Sequence, residues 1–162
     1  MEFCFLGLMV RDDRAFLLEY NVRFGDPETQ TFLPRLEGNL SALLLAAASG
    51  DREKFKSTPL KENQKHSLHV VKASKGYPGL FGEEIELGKL IHLHGPVDTE
   101  HSQIYFAGVK EKEGSLFSSG GRVLGLTVTG ETIAEVQKQA YQIIKSVSFE
   151  GEQYRTDIGA KR

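Results

Sequence analysis

Apolar positions dominate two short runs at the start of the chain, residues 1–10 and 15–20, and a polar Arg-Asp-Asp-Arg turn separates them. Two such runs joined by a short polar turn predict a β-hairpin. The first run opens the chain, so no earlier element covers its outer edge, and soluble proteins usually avoid an exposed apolar edge. We therefore expect that a preceding segment or a partner chain covers this hairpin.

The spacing of apolar residues becomes helical in two places. Between the capping residues Asn39 and Ser41 and a terminal Gly50, a run of leucine and alanine predicts a buried helix. Near the end of the chain, apolar residues recur at helical spacing over 132–147, and Thr132 can form a capping box with Glu135. We predict that one face of this second helix packs on a sheet.

A stretch rich in Lys, Glu, Asp and Ser at 51–65 marks the best candidate for a domain boundary. After it come short β-prone runs that alternate with turns containing Gly and Pro. These runs lie at 67–73, 84–87, 91–93, 103–109 and 122–129. The pattern predicts an α+β protein with a first part at 1–58, built of antiparallel strands and a helix. A small β-rich domain with one long helix is predicted at 62–162.

Composition places the chain among ordinary globular proteins, with 40% hydrophobic and 26% charged residues and a formal net charge of −2. Lys and Arg are dispersed, unlike the clusters of nucleic-acid-binding proteins. The longest apolar run is far shorter than the roughly 20 residues of a membrane helix. We therefore expect neither nucleic acid nor membrane as a partner. The single cysteine, Cys4, excludes an internal disulfide and favours the cytoplasm, and its apolar surroundings predict a core position.

Two polar residues on the second predicted strand have the spacing of a metal site. Glu19 and Asn21 are two positions apart, so their side chains leave the same face of a strand. Mg²⁺ takes hard oxygen ligands such as these and completes its octahedron with water and nucleotide phosphate oxygens. The alternative is a polar pair that faces solvent at a strand end, and spacing alone does not decide between the two.

The loop after this strand contains two further candidates. The guanidinium of Arg23 could hold a carboxylate or a phosphate, and Asp26 could accept a hydrogen bond from a substrate amine. An Asp-Pro pair in a glycine-containing loop is also typical of a turn in which the Asp bonds its own backbone. Both interpretations stay open at this point.

A glycine pair before the last predicted strand gives a candidate anion site. Gly120 and Gly121 carry no Cβ that would obstruct their backbone amides, and Arg122 adds a positive charge, so this turn could grip a phosphate. A Gly-Gly turn between strands is equally explained by structure alone. His92 and His94 could share a strand face, but a zinc site there lacks a second strong pair of ligands.

Residues 18–30, LEYNVRFGDPETQ, resemble the metal-binding segment of the phosphoribosylamine–glycine ligase family, also called glycinamide ribonucleotide synthetases. The likeness continues in the family's order over essentially the whole chain. It includes FLGLM at 5–9, KGYPG at 75–79, SGGRVL at 119–124 and YRTDIG at 154–159. This resemblance favours the functional interpretation of the candidates in the first part of the chain.

The resemblance implies an ATP-grasp ligase of de novo purine biosynthesis. Such an enzyme joins glycine to 5-phosphoribosylamine through glycyl phosphate, while ATP is cleaved to ADP and phosphate. On this resemblance, residues 1–58 are the end of the ATP-grasp core and residues 62–162 are the C-terminal domain.

The resemblance also implies roles for the candidate residues. Glu19 and Asn21 become ligands of Mg²⁺ or Mn²⁺ that bridge to ATP phosphates. Arg23 is assigned to the acyl phosphate or the glycine carboxylate, and Asp26 to substrate positioning. Residues 120–122 fall in the C-terminal domain, where a contact to the ribose phosphate is a hypothesis.

The chain also departs from the family pattern. Family members carry, ahead of this segment, an amino-terminal domain, most of the ATP-grasp fold and a further acidic metal ligand. Where the family commonly has His-Ala-Gly-Thr, this chain has FAGV at 106–109, which removes a polar side chain. We therefore expect a carboxy-terminal part without ligase activity in isolation, and a separate chain is one source of the amino-terminal half. The alternative is a non-catalytic binding or interaction protein that retained this fold.

Overall fold

A computed structural model describes residues 4–160 and, within them, every side chain except that of Phe81. The first three positions of the predicted first strand lie outside the described residues. The chain divides into two compact units, Met1–Asn63 and Gln64–Arg162. Within residues 4–160, no helix is long and apolar enough to cross a membrane.

The first unit contains the predicted hairpin. Strand β1 (Phe5–Arg11) pairs antiparallel with β2 (Arg14–Asn21). The turn residues Asp12 and Asp13 have φ values of 49° and 56°. A two-residue turn with positive φ at both positions matches the twist of the strands it joins, and Asp tolerates that conformation better than most residues. The hairpin prediction is therefore confirmed.

In the described part of the first unit, three α-helices, a two-stranded sheet and a short 3₁₀ helix, Leu33–Arg35, follow the hairpin. The α-helices and strands are α1 (Glu28–Phe32), β3 (Leu36–Glu37), α2 (Leu40–Ser49), α3 (Arg52–Lys56) and β4 (Lys61–Glu62), with β3 paired to β4. The capping signals of α2 are confirmed: the Asn39 side chain accepts from Ala42 N at 2.8 Å, and Gly50 ends the helix at a φ of 71°. Helices α1 and α3 were not predicted, because a five-residue helix is too short to show an apolar period.

The first unit leaves much of its apolar surface exposed. In α2, Ala46 and Ala47 are buried but Leu45 is 71% exposed, so the prediction of a buried helix is wrong for this face. Cys4 is also exposed, against the expected core position. Large apolar residues are exposed on both faces of the hairpin. They are Leu6, Leu8, Met9, Val10, Phe16, Leu17, Leu18 and Tyr20. An apolar surface of this kind is typical of an interaction site.

Among its described residues, the second unit has two antiparallel sheets, one α-helix and two short 3₁₀ helices. The first sheet has the order β5 (His66–Ala73), β10 (Arg122–Gly130) and β7 (Ser102–Phe106). The second has the order β11 (Val147–Ser148), β6 (Leu90–Leu93), β9 (Ser115–Ser118) and β8 (Val109–Lys112). The run predicted at 103–109 is divided between β7 and β8, and residues 84–87 form no strand.

Helix α4 (Ile133–Ile143) covers one face of the three-stranded sheet. The Thr132 hydroxyl caps it by accepting from Glu135 N at 3.3 Å. The helix is shorter than predicted, since a 3₁₀ turn, Ile144–Ser146, follows it. The predicted packing of one helix face on the sheet is confirmed. Val136 and Ala140 of α4, and Ile144 of the 3₁₀ turn, are fully buried in one cluster with apolar residues of β5 and β10. Full burial contributes about 1.5–3 kcal/mol for each large aliphatic side chain.

A charged residue also lies in this core. The side chain of Lys72 in β5 has 0% exposure, and its Nζ lies 2.5 Å from Glu152 Oε1. The same ammonium donates to the carbonyl of Val147 and lies 4.9 Å from the centre of the Tyr154 ring. The other oxygen of Glu152 accepts from Phe149 N at 3.0 Å. Burial lowers the pKa of Lys72 below its usual value, and the hydrogen bond and charge of Glu152 oppose that shift.

We expect Glu152→Gln to lower the free energy of unfolding of the second unit by about 3 kcal/mol. The amide cannot neutralise the buried ammonium or accept from both Lys72 and Phe149. This figure is at the low end for breaking a buried ion pair, because the Glu152 side chain is 23% exposed. Native-state hydrogen exchange of the β5 and β10 amides measures the loss.

The matched control is Glu150→Gln. The Glu150 side chain is 80% exposed and pairs with Lys89 at 3.1 Å, so its loss should cost less than about 0.5 kcal/mol. Equal losses for the two variants would show that the Lys72–Glu152 pair has no special weight.

Candidate functional site

The candidate residues of the first unit lie at the end of β2 and in the loop that follows it. Glu19 and Asn21 lie on one strand face, paired across the hairpin with Gly7 and Phe5. The Glu19 side chain crosses directly over Gly7, where an added Cβ would lie 2.8 Å from Glu19 Cγ. Because Gly7 has no Cβ, the Glu19 side chain can occupy the space directly above it. This role was missed from the sequence, although Gly7 lies in the FLGLM segment.

The amide of Asn21 is incompletely satisfied. Its Nδ2 atom is buried and, within residues 4–160, has no hydrogen-bond partner. Leaving such a donor unpaired costs about 1–3 kcal/mol, so an added oxygen acceptor would be stabilising there. A phosphate oxygen is one such acceptor.

The carboxylate of Glu19 and the amide oxygen of Asn21 fit Mg²⁺ or Mn²⁺, which prefer hard oxygen ligands. Among the described residues, no group of three or more His, Cys, Asp or Glu side chains could hold a metal ion. The pair can therefore supply only part of a coordination shell. Water, a phosphate or residues of another segment would have to complete it.

Arg23 and Asp26 lie in the loop that leads from β2 into α1. Arg23 is exposed, and its Nη1 donates to the carbonyl of Phe24 at 3.0 Å. Asp26 Oδ1 accepts from the side chain of Gln30 at 3.0 Å. The carbonyl of the buried Gly25 accepts from Thr29 N at 3.1 Å, which ties the loop to the helix. The loop that follows the Glu19–Asn21 pair in the sequence thus carries one guanidinium and one carboxylate.

The glycine turn at 120–122 belongs to the second unit and leads into β10, of which Arg122 is the first residue. Both glycine carbonyls accept from Ser74: Gly121 O from its backbone N at 2.8 Å and Gly120 O from its hydroxyl at 2.9 Å. An added Cβ on Gly121 would lie 2.3 Å from Tyr77 Cδ2, so the tyrosine ring packs against this turn. Arg122, the charged member of the turn, is half-buried.

A second glycine approaches the same turn. An added Cβ on Gly108 would lie 2.6 Å from Gly120 Cα, and the Gly108 carbonyl accepts from Ser119 N at 2.7 Å. The two loops therefore pack backbone to backbone, which only glycine permits. No local pattern predicts a role for Gly108, Ser74 or Tyr77 at this turn. Gly108 lies in the FAGV segment and Tyr77 in the KGYPG segment.

Within residues 4–160, His92 and His94 belong to no group of three or more His, Cys, Asp or Glu side chains that could hold a zinc ion. The exposed rings of His92 and His94 stack with their centres 5.9 Å apart. Asp98 Oδ1 instead accepts from Ile104 N at 2.7 Å.

A row of surface ion pairs lies beside the KGYPG segment. Lys75 contacts Glu86 at 2.7 Å, and Lys89 contacts Glu86 at 3.4 Å. The hydrogen bond from Lys75, together with its charge, lowers the pKa of Glu86, and Glu86 in turn raises the pKa of Lys75. Such exposed pairs are weak, so they fix the local charge pattern more than they stabilise the fold.

Comparison with known proteins identifies the family. The sequence model of the family described as "Phosphoribosylglycinamide synthetase, C domain" matches residues 67–161, more than half of the chain. The chain therefore belongs to the phosphoribosylglycinamide synthetase family.

Its curated relatives are named phosphoribosylamine–glycine ligases. The protein from Rhizobium meliloti (strain 1021) is 41% identical over 155 residues, which cover 96% of this chain and 35% of the relative. The protein from Caldanaerobacter subterraneus subsp. tengcongensis is 38% identical over 156 residues, which cover 96% of this chain and 35% of the relative. The crystal structure of the Thermotoga maritima phosphoribosylamine–glycine ligase is 38% identical, with a TM-score of 0.69 over 94% of this chain and 35% of that one.

The chain thus spans about a third of the length of the relatives it matches, and it corresponds to their carboxy-terminal portion. The mixed α and β fold with antiparallel sheets agrees with this region.

We expect Gly121→Ala to destabilise the second unit by about 1–3 kcal/mol, the usual cost of inserting a methyl group into a packed site. The new Cβ must displace the Tyr77 ring, because the two would lie only 2.3 Å apart. Thermal unfolding of Gly121→Ala, Tyr77→Ala and the double variant measures the coupling. The glycine substitution should cost clearly less when Tyr77 is already alanine. Strictly additive costs would contradict the packing described here.

Proposed function

We propose that this chain acts as the carboxy-terminal part of a phosphoribosylamine–glycine ligase in de novo purine biosynthesis. The reaction joins glycine to 5-phosphoribosylamine and converts ATP to ADP and phosphate. One observation carries the proposal: in a chain of this family, Glu19 and Asn21 share a strand face directly ahead of a loop with a cation and a carboxylate. In this proposal, residues 1–58 end an ATP-grasp core and residues 62–162 form the C-terminal domain.

The chemistry has two steps. A glycine carboxylate oxygen attacks the γ-phosphorus of ATP, and ADP leaves, which gives glycyl phosphate. The neutral amine of phosphoribosylamine then attacks the acyl carbon, phosphate leaves, and the amine nitrogen gives up a proton to the departing phosphate or to water. In both steps negative charge builds on an oxygen of the leaving phosphate group, so cations close to that oxygen accelerate them.

Each candidate residue has a role suited to its group. Glu19 and Asn21 would hold Mg²⁺ or Mn²⁺, which supplies positive charge beside the ATP phosphates when bound. The exposed guanidinium of Arg23 binds the acyl phosphate or the glycine carboxylate. The carboxylate of Asp26 positions the substrate, with Gln30 fixing its orientation.

The second unit contributes the glycine turn. We propose that Gly120, Gly121 and Arg122 contact the ribose phosphate of the substrate. Close packing of the turn against Gly108 and Tyr77 supports this role, since it holds Arg122 at a fixed point of the backbone.

The proposal gives the amino-terminal portion of a family ligase the rest of the active site. Support comes from the hairpin, whose apolar residues are exposed on both faces, and from relatives about three times as long. We propose that this portion covers the hairpin, either as a separate chain or within a longer form of the same protein. With only one cysteine, the proposed location is the cytoplasm.

We expect the isolated chain to release no ADP when it is supplied with ATP, Mg²⁺, glycine and freshly generated phosphoribosylamine. The amino-terminal two thirds of a family ligase, added as a separate protein, should restore ADP release that depends on glycine. The intact Thermotoga maritima enzyme is the positive control.

Glycine-dependent ADP from the chain alone would show that it contains a complete site. If the two parts bind each other without forming ADP, the non-catalytic interaction protein becomes the better interpretation.

Glu19→Ala should lower kcat/KM of the reconstituted ligase by at least about 100-fold, because a metal ligand supports several kcal/mol of charge stabilisation. The melting temperature should hardly change, since Glu19 is exposed. Glu53→Ala is the matched control, an exposed carboxylate of the same unit that forms only a 3.8 Å contact with Lys56. An unchanged rate for Glu19→Ala would exclude the metal-ligand role.

A further inference from the structure

The position of the glycine turn depends on the segment at 74–77. Ser74, which is 1% exposed, donates to both glycine carbonyls, and the Tyr77 ring packs against Gly121. Tyr77 N also donates to Ser74 O at 3.1 Å, so the segment closes on itself. A shift of this segment must therefore move the turn.

The side chain of Gln153 binds the backbone of the segment at 74–77. The Nε2 atom of Gln153 donates to Ser74 O at 2.9 Å and to Tyr77 O at 2.8 Å. A primary amide has two N–H donors, and here each meets one carbonyl. The backbone of Gln153 also pairs with Ala73 through two hydrogen bonds of 2.9 Å.

Both neighbours of Gln153 are anchored in the core. Glu152 pairs with the buried Lys72, and Tyr154 lies against the same ammonium. The backbone at 153 is therefore held in place before its side chain makes any contact. An amide held in this way loses little conformational entropy when it binds the two carbonyls.

We infer that Gln153 is a positioning residue that fixes the Gly120–Gly121 turn, and with it Arg122, for binding the phosphate of a sugar phosphate. It acts through Ser74 and Tyr77 and does not itself need to touch the ligand. The phosphate ligand rests on the function proposed above, whereas the control of the turn by Gln153 does not.

Gln153 is suited to a clean test because it is exposed. Its truncation should leave the core packing around Lys72 intact, unlike the Glu152 variant. Gln139→Ala is the matched control, since Gln139 is an exposed glutamine on α4, outside this cluster.

The experiment is a titration of the ¹⁵N-labelled full chain with ribose 5-phosphate, followed through backbone amide resonances well below the unfolding temperature. Gln153→Ala should shift the Gly120 and Gly121 amides of the free protein and weaken ribose 5-phosphate binding by about tenfold or more, the loss of one or two hydrogen bonds. Gln153→Glu should weaken it further, because a carboxylate would face two carbonyl oxygens. Gln139→Ala should change neither quantity.

The outcomes separate this inference from the proposed function. Unshifted Gly120 and Gly121 amides in Gln153→Ala overturn the inference, as does unchanged affinity despite a shift. If the unaltered chain does not bind ribose 5-phosphate, or if Arg122→Ala binds it equally well, the phosphate contact fails. In that case the shifted amides of Gln153→Ala alone still support the positioning role.

Discussion

The second unit depends on the buried ammonium of Lys72. An unpaired charge in a core is strongly unfavourable, so the residues around it must supply a carboxylate and a carbonyl. Glu152 and Val147 do so, and both come from the last part of the chain. This requirement binds the carboxy-terminal segment to β5 and brings Gln153 to the loop at 74–77. The need to pair the Lys72 ammonium in the core thereby helps to position the loop at 74–77 and, through it, the glycine turn at 120–122.

In the first unit, by contrast, the described residues leave apolar surface uncovered and a buried hydrogen-bond donor unpaired. Its hairpin exposes large apolar side chains on both faces, and Asn21 retains a buried donor without an acceptor. Both deficits call for added atoms: an apolar surface to cover the strands and an oxygen to complete the amide. The chain spans about a third of the length of its relatives, and the proposed function assigns these added atoms to their amino-terminal portion. In that proposal, the Glu19–Asn21 pair is one part of a site that other segments complete.

Local signals explain what could be predicted from the sequence. The hairpin, the caps of α2 and the packing face of α4 each depend on residues a few positions apart, and all three are confirmed. Helix α1 was missed because five residues are too few to show an apolar period. The division of 103–109 into two strands was missed because it depends on pairing with distant strands, β7 with β10 and β8 with β9. The burial of α2 and Cys4 was wrong for a related reason: an apolar run indicates that a surface needs cover, but not that this chain supplies it.

The two candidate sites differ in the same way. Glu19, Asn21, Arg23 and Asp26 lie within eight consecutive residues, so their grouping is visible as a sequence motif, and the family resemblance implies a role for each. Around the glycine turn, contacts join residues 46 and 79 positions apart, such as Ser74 to Gly120 and Gln153 to Ser74. No local pattern marks those pairs. The roles of Gly7 and Gly108 could not be predicted for the same reason. That a glycine is required at these positions is known only once the neighbouring atoms that a Cβ would contact are located. Positioning residues are therefore hardest to find where backbone segments from distant parts of the chain meet.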